Sequence, residues 1–188
     1  DGSPASVTLN SSNGVRITDA VLTQATVTGA DVAATNGVVH IVDKVLVPPG
    51  VLNVVQMAQA NPDAFSSLVG AVATAGLATT LSGPGPFTVF APTNAAFAGA
   101  PTGLTPSQLA TVLTYHVLDL VPAVLSSAIP FGTPVTTVAG QDITINAGTA
   151  PVIATIIDTT ATPATISAVD VRASNGVIHV IDKVLIPS

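Results

Sequence analysis

Residues 175–187 read NGVIHVIDKVLIP, and this stretch decides how the rest of the chain is interpreted. Residues 36–46 read NGVVHIVDKVL and repeat its first eleven positions, with eight identities and three exchanges between Val and Ile. The two copies lie 139 residues apart, as the positions of His40 and His179 show. Self-similarity at a fixed distance indicates related structural units, so the sequence predicts a repeat.

Two shorter matches extend the repeat on its N-terminal side. Residues 7–10 (VTLN) match residues 143–146 (ITIN), and residues 30–32 (ADV) match residues 169–171 (VDV). The first of these pairs is offset by 136 residues, which indicates that the second copy carries three extra residues in an intervening loop.

These matches predict how the chain is divided. Residues 1–47 are predicted to be the strand-rich C-terminal part of one unit, and residues 51–188 a complete unit. Residues 48–50 (PPG) form a short stiff linker, because each proline fixes its φ angle. A strand-rich remnant without its helices would expose half of a core. We therefore expect either that another surface covers it or that the chain is a piece of a longer tandem array.

The complete unit is predicted to begin with helices and to continue with strands. Asn61 and Pro62 start a helix over residues 62–75, and the capping box at residues 105–108 starts another over 106–114. Runs rich in β-branched residues predict strands at 135–138, 142–146, 152–157, 165–171 and 177–185. Asn175-Gly176 is typical of a hairpin turn. The last strand is apolar on both faces and is placed centrally, in an α+β unit with helices on one side of an antiparallel sheet or sandwich.

Composition excludes several classes of function. Charged residues make up 7% of the 188 residues, and ten acidic residues, all Asp, against four basic ones give a net charge of -6. Nucleic acids and anionic membranes attract basic patches, so neither is an expected partner. No apolar run is long enough to insert into a membrane. The absence of cysteine excludes thiolate chemistry. Scarce Lys and abundant Thr favour a secreted or cell-surface protein.

The candidate catalytic and metal-binding residues are the three histidines, each of which precedes an aspartate by three positions. The pairs are His40/Asp43, His116/Asp119 and His179/Asp182. Two pairs lie in predicted strands, where positions i and i+3 point to opposite faces. We interpret these histidines as buried and hydrogen-bonded near surface aspartates, with no metal or other cofactor. No Gly-x-Ser-x-Gly turn and no glutamate occur, so no hydrolase or glycosidase is predicted.

Three blocks in a fixed order resemble the signatures of the fasciclin domain family. They are residues 88–97 (TVFAPTNAAF), 115–116 (YH) and 175–187. The matching positions are Thr88, Phe90, Ala91, Pro92, Thr93, Asn94, Phe97, Tyr115, His116, Asn175, Gly176, His179 and Asp182. The N-terminal part retains only the last block, at Asn36, Gly37, His40 and Asp43. The resemblance implies a compact β-sandwich with a wedge of helices, usually repeated in tandem.

The resemblance also implies a function: a non-catalytic extracellular module that adheres to proteins or glycans of a cell surface or matrix. No Arg-Gly-Asp occurs, so integrin binding is not expected. The unpaired strands of residues 1–47 leave an alternative open, a structural filament assembled head-to-tail by strand pairing between copies. For the signature residues, we expect Thr93 or Asn94 to cap a short helix and Tyr115 to be half-buried with a bonded hydroxyl.

Overall fold

The computed structural model describes residues 7–12, 14–150 and 152–188, and its strands form two sheets. Residues 1–6 of the predicted partial unit lie outside the described residues. The first sheet is antiparallel and its strands follow chain order: β1 Thr8–Asn10, β2 Arg16–Thr18, β3 Gln24–Ala34 and β4 Gly37–Val42.

The second sheet has seven strands in the order β6-β5-β11-β10-β9-β8-β7. Their bounds are β5 Phe87–Pro92, β6 Val117–Asp119, β7 Pro134–Thr136, β8 Asp142–Ala147, β9 Ala154–Ile157, β10 Ala164–Ala173 and β11 Gly176–Ile181. All neighbours are antiparallel except β5 and β11, which run parallel. The predicted central position of the last strand is confirmed, because β11 lies between β5 and β10.

Five helices join the strands among the described residues. They are α1 Val54–Ala60, α2 Pro62–Thr74, α3 Ala78–Ser82, α4 Asn94–Phe97 and α5 Pro106–Thr114, followed by a 3₁₀ turn at Ser126–Ala128. The two longer helices predicted from sequence are α2 and α5, and both begin at the predicted proline. The short helix expected after Thr93 or Asn94 is α4. The sequence prediction missed α1 and α3, which are too short to repeat an apolar face over several turns.

The second sheet separates two apolar clusters, because alternate residues of β11 point to opposite faces. The helix-side cluster includes Met57, Phe65, Leu68, Leu113, Val171, Ile178 and Val180. The sheet-side cluster includes Phe90, Tyr115, Ile143, Ile145, Ile156, Ile181 and Leu185. This arrangement of helices against one face of a mixed sheet, with a second core on the other face, confirms the predicted α+β class.

The hairpin of β3 and β4 has the same pairing as the hairpin of β10 and β11. Each partner pair in the first hairpin recurs 139 positions later in the second, including both register shifts. Asp31 has a φ of 57° and its counterpart Asp170 a φ of 60°, so the same left-handed residue bends both hairpins. The pairing of Leu9 with Ile17 likewise corresponds to that of Ile145 with Ile156.

The surroundings of the two hairpins differ. Val39 and Ile41 on β4 are 52% and 54% exposed, whereas their counterparts Ile178 and Val180 on β11 are 4% and 5% exposed. In the second sheet, β5 and the helices cover β11. No described strand pairs with the outer edge of β4.

One loop of the N-terminal segment packs on the rest of the chain. Val21 is 2% exposed and belongs to the helix-side cluster, and the Asn61 amide donates to the Val21 carbonyl at 3.0 Å. The Gly50 N–H donates to the Arg172 carbonyl at 2.9 Å, which ties the linker to β10. The N-terminal segment therefore rests on residues 51–188 through this loop and the linker, while β4 stays uncovered.

Candidate functional site

The buried polar residues of the signature blocks meet where β5 and β11 lie side by side. His179 is fully buried, and its ring stacks on Phe90 with 5.7 Å between the centroids. Its Nδ1 accepts the Asp170 N–H at 3.4 Å, so Nε2 carries the proton and donates to the Val124 carbonyl at 2.9 Å. Burial lowers the pKa of His179, which keeps the ring neutral.

Thr88 on β5 holds the same loop as His179. Its hydroxyl oxygen accepts the Val124 N–H at 2.8 Å, and Thr88 is fully buried. Both polar groups of the Val124 residue are therefore satisfied by side chains from the two parallel strands. This arrangement fixes the loop before the 3₁₀ turn and leaves neither side chain available to a substrate.

His116 follows α5 and joins that helix to the C-terminal segment. Its Nδ1 donates to the Val112 carbonyl at 2.7 Å, and its Nε2 accepts the Leu185 N–H at 2.8 Å. Only a neutral ring can make both bonds. Burial lowers the pKa of His116 to about 4.

We expect these histidines to make stability depend on pH. In the unfolded chain His116 titrates near 6.5, so between pH 6.5 and about 4 the unfolded state binds a proton that the folded state does not. The free energy of unfolding should fall by about 2–3 kcal/mol between pH 7.5 and 4.5. Urea unfolding at the two pH values measures this loss.

The matched variants for this prediction are His116→Gln and His40→Gln. The first should reduce the pH dependence by the contribution of His116, and the second should retain it, because His40 is exposed. A pH dependence that His116→Gln leaves at the wild-type size would contradict the assignment.

Thr93 and Asn94 divide two structural tasks between them. The Thr93 hydroxyl accepts the Ala96 N–H at 3.3 Å and so caps α4, as expected for one of the two residues. Asn94 reaches α2 instead: its carbonyl oxygen accepts the Ser67 N–H at 2.8 Å and its amide donates to the Asp63 carbonyl at 2.9 Å. The pair therefore fastens α4 against α2.

Asn175 connects the β10–β11 turn to the helices. Its side-chain oxygen accepts the Val54 N–H at 2.9 Å, and its amide donates to the carbonyls of Leu81 and Gly83 at 2.9 and 2.8 Å. One side chain thus holds the start of α1 and the end of α3.

The predicted turn at Asn175-Gly176 is displaced by one residue. Ala173 pairs with Gly176, so the two turn residues are Ser174 and Asn175. Gly176 does not have a positive φ. It is required for another reason: a Cβ at this position would overlap the carbonyl of Phe87 on the neighbouring strand.

Tyr115 is more buried than the sequence prediction stated. Its exposure is 0%, so the expectation of a half-buried ring is wrong, but its hydroxyl is bonded as expected and donates to the Asp142 carbonyl at 2.9 Å. Burial, together with the nearby carboxylates of Asp158 and Asp142, raises the pKa of the phenol. The ring belongs to the sheet-side cluster and is not a surface contact.

The predicted burial of the histidines is correct for His116 and His179 and wrong for His40. His116 and His179 are buried, and Asp119 and Asp182 are exposed, whereas His40 is exposed. Asp182 accepts the backbone N–H of the residue at 165 at 2.6 Å, and Asp43 makes the corresponding bond at 2.7 Å. No group of three metal-ligating side chains occurs within residues 7–12, 14–150 and 152–188.

Two ion pairs between a buried aspartate and a partly exposed lysine were missed by the sequence analysis. Asp158 has a fully buried side chain that accepts from Lys183 at 2.8 Å and from the Ile186 N–H at 2.9 Å. Asp19 and Lys44 form the equivalent pair at 2.9 Å. The sequence contains a signal for these pairs, because Asp19 and Asp158, like Lys44 and Lys183, are separated by the 139 residues of the repeat. Although burial raises the pKa of Asp158, the hydrogen bonds from Lys183 and Thr160 hold it below its usual value.

Ser126, Asp170 and His179 lie together but are not arranged for nucleophilic catalysis. The Ser126 hydroxyl donates directly to Asp170 at 2.5 Å, and the proton-bearing nitrogen of His179 is bonded to Val124. In a serine hydrolase the histidine must accept the proton of the serine. Here the carboxylate takes that position, so the histidine cannot act as the base.

The cavities do not suggest a built ligand site. An apolar cavity of about 40 Å³ lies beneath α1, α2 and α5, far smaller than the several hundred Å³ of a typical ligand pocket. A wide groove of about 860 Å³ runs between the N-terminal segment and β10. Its carboxylates are already engaged, Asp19 with Lys44 and Asp170 with Ser126.

Comparison with known families identifies the fold. The sequence profile of the Fasciclin domain matches residues 1–48 and 63–187, which together make up most of the chain. This chain belongs to the fasciclin family. The match covers both the N-terminal segment and the residues whose geometry is described above.

Among curated relatives, Protein sll1483 of Synechocystis is 41% identical over 144 residues, which cover 72% of this chain and 74% of that protein. Transforming growth factor-beta-induced protein ig-h3 of Sus scrofa is 39% identical over 164 residues, which cover 84% of this chain. Human periostin is 33% identical over 82% of it. The chain spans 22% and 18% of the lengths of ig-h3 and periostin.

A solved structure confirms the fold. The FAS1 domain pair of the insect cell adhesion molecule fasciclin I superposes with a TM-score of 0.66 and 23% identity, covering 97% of this chain and 66% of that one. The predicted fasciclin-like arrangement of sheets and a helical wedge is therefore correct. Within the described part of the chain, no helix has the length and apolar character needed to span a membrane.

Proposed function

We propose that this chain is a non-catalytic adhesion or matrix module that acts outside the cell or at its surface. The observation that carries the proposal is the internal use of the signature side chains. Thr88, His116, Asn175 and His179 each bond backbone groups of their own fold, so none of these four side chains is available as a nucleophile or base. Such a signature supports a rigid scaffold whose partners bind elsewhere on its surface.

The family supports the same function. Fasciclin I, whose domain pair has a similar structure, is an insect cell adhesion molecule. An adhesive role for this chain would need no cofactor. The low content of charged residues, 7%, favours contact with proteins or glycans over contact with polyanions.

We also propose that the chain is a segment of a tandem arrangement. Residues 1–47 would be the C-terminal part of one fasciclin unit, residues 48–50 the linker and residues 51–188 a complete unit. The shared register of the two hairpins, the shared left-handed aspartates and the shared Asp–Lys pairs support this division.

The test is adhesion by the purified full chain. Beads coated with it should be retained on cell surfaces, on matrix proteins or on immobilised glycans, saturably and above beads coated with an unrelated protein of similar negative charge. Retention that equals the control on all three surfaces would refute the proposal, as would turnover of a substrate by the purified chain.

A further inference from the structure

The N-terminal segment inserts one apolar side chain between the helices and the second sheet. Val21 is 2% exposed and, of the described residues that precede the linker, it is the only buried member of the helix-side cluster. Val21, Met57, Phe65 and Ile178 line a cavity of about 30 Å³, so little space is left around the Val21 side chain. We call the apolar site formed by Met57, Phe65 and Ile178 the socket.

A hydrogen-bond donor beside the socket is also directed at the N-terminal segment. Asn61 lies at the junction of α1 and α2, where its side-chain oxygen accepts the Ala64 N–H at 3.3 Å and caps α2. Its amide donates to the Val21 carbonyl at 3.0 Å. Because Asn61 is buried, loss of this acceptor would leave an amide donor without a partner, which is unfavourable. The junction is therefore complementary to Val21 in both its apolar surface and its polar group.

The loop that carries Val21 is held in shape by its own unit. Asp19 is buried, and its Oδ1 accepts the N–H groups of Val21 and Thr23 at 3.2 and 3.1 Å. Its Oδ2 accepts from the Lys44 ammonium at 2.9 Å. All of these partners precede the linker, so the loop is preorganised, and preorganisation lowers the entropy cost of docking.

The equivalent loop of the second unit is built differently. Thr160 stands at the position of Val21, and its hydroxyl donates to Asp158 at 2.6 Å. Leu22 has a φ of 62°, whereas the equivalent Ala161 is not left-handed. The second loop therefore keeps its side chain on its own aspartate, whereas the first loop projects an apolar side chain onto the neighbouring unit.

The linker by itself allows the two units to turn relative to each other. It is tied to the second unit by the Gly50 N–H, which donates to the Arg172 carbonyl at 2.9 Å, and by the Leu52 carbonyl, which accepts the Ser174 N–H at 2.8 Å. Both bonds are made at the C-terminal end of β10, and bonds along one short edge leave rotation about that edge free. The Asn61 bond lies one helix away, because α1 has seven residues and spans about 10 Å. The contact at the socket therefore removes the remaining freedom.

We infer that Val21 is the anchor of a docking joint: it fixes the N-terminal unit on the α1–α2 junction of the following fasciclin unit and sets the angle between them. Val21 and Asn61 are positioning residues, and the Pro-Pro-Gly linker is a tether. The inference rests on the proposed division of the chain into a partial and a complete unit. In an adhesive module such a joint presents both units at a constant angle, which reduces the entropy cost of a contact made with both.

The test measures a distance between the two units in the full chain. The chain has no cysteine, so Thr35→Cys and Ser107→Cys, both at exposed positions, allow two spin labels to be attached. Double electron–electron resonance should give one narrow distance distribution for this labelled protein. Adding Val21→Asp should broaden the distribution at least about twofold, because a carboxylate is disfavoured in the socket and a released unit samples many orientations.

Three matched variants control for other causes of broadening. Val45→Asp makes the same change in the same unit at a residue that is 86% exposed, and it should keep the narrow distribution. Thr160→Val makes the reverse exchange in the second loop and should also keep it. Pro48→Gly combined with Pro49→Gly loosens the linker and should keep it as well, because the socket sets the angle.

Urea unfolding followed by the fluorescence of Tyr115, the one tyrosine of the chain, shows whether the second unit stays folded. Val21→Asp should retain this cooperative transition. The inference is overturned by a broad distribution without Val21→Asp, by an equally narrow one with it, or by equal broadening in the linker variant. Loss of the Tyr115 transition in Val21→Asp would also overturn it, because Val21 would then belong to the core of a single body. The proposed adhesive function is tested separately, because bead retention and the distance distribution can fail independently.

Discussion

Gly176→Ala should destabilise the chain by at least about 3 kcal/mol, whereas Gly37→Ala should leave the free energy of unfolding within about 0.5 kcal/mol of the wild-type value. The two glycines occupy equivalent positions in two hairpins of identical register. At Gly176 an added Cβ overlaps the Phe87 carbonyl. The overlap cannot be relieved by moving β5 away from β11, because the two central strands are hydrogen-bonded to each other. At Gly37 the space is open. Urea unfolding of both variants at neutral pH measures the difference.

The paired design controls for the intrinsic effect of the substitution. Both glycines begin a strand, and neither has a positive φ, so the change in backbone entropy on replacing glycine by alanine is the same at both sites. Equal effects at the two positions would mean that contact with β5 does not determine the need for glycine.

Asp158→Ala should cost about 3–5 kcal/mol, the second large effect that we expect. The Asp158 side chain is fully buried, and its removal leaves the Lys183 ammonium and the Ile186 N–H without their acceptor. Removing the buried carboxylate costs more than the pair's own contribution, because the Ile186 N–H loses its acceptor and the Lys183 side chain, 24% exposed, is only partly solvated. Thermal or urea unfolding measures the loss.

Asp119→Ala is the control for this variant. Asp119 is an exposed carboxylate on β6, and its loss should change stability by less than about 0.5 kcal/mol. Asp158→Asn keeps the shape of the side chain and should recover part of the loss by retaining an acceptor oxygen. An Asp158→Ala variant as stable as Asp119→Ala would show that the ion pair is not needed by the fold.

The features that local sequence encodes were predictable. The α5 helix begins at its predicted capping box because Thr105 and Gln108 satisfy each other's backbone groups within one turn. The repeat of residues 36–46 at 175–185 also predicted two equal hairpins, since identical side chains at identical spacing favour identical pairing.

The features that depend on distant parts of the chain could not be predicted. Whether a hairpin is covered depends on whether a distant strand and helices pack on it, as β5 and the helices do on β11, so Ile178 is buried and the equivalent Val39 is not. The packing of Val21 among the helices could not be predicted from the repeat, because its counterpart Thr160 is a polar residue whose hydroxyl donates to Asp158. The repeat places an Asn-Gly pair in both hairpins, at residues 36–37 and 175–176, but only the approach of Phe87 explains the glycine at position 176.

These distinctions bear on how the signature residues should be interpreted. His179 and the equivalent His40 belong to the same motif, yet one is a buried hydrogen-bonding group and the other is exposed. The bonding of the signature histidine therefore depends on the covering elements, whereas Asp43 makes the same backbone bond as Asp182 without them. The N-terminal hairpin carries that signature in an uncovered state.

Hydrogen exchange of the two hairpins in one sample of the free chain is the most direct test that only the second is covered. Amides of β11 should exchange only through global unfolding, because both edges of that strand are paired. Outward-facing amides of β4 should exchange orders of magnitude faster, close to the rates of unprotected backbone. Equal slow exchange in β4 and β11 would show that another surface already covers the first hairpin and would contradict this account.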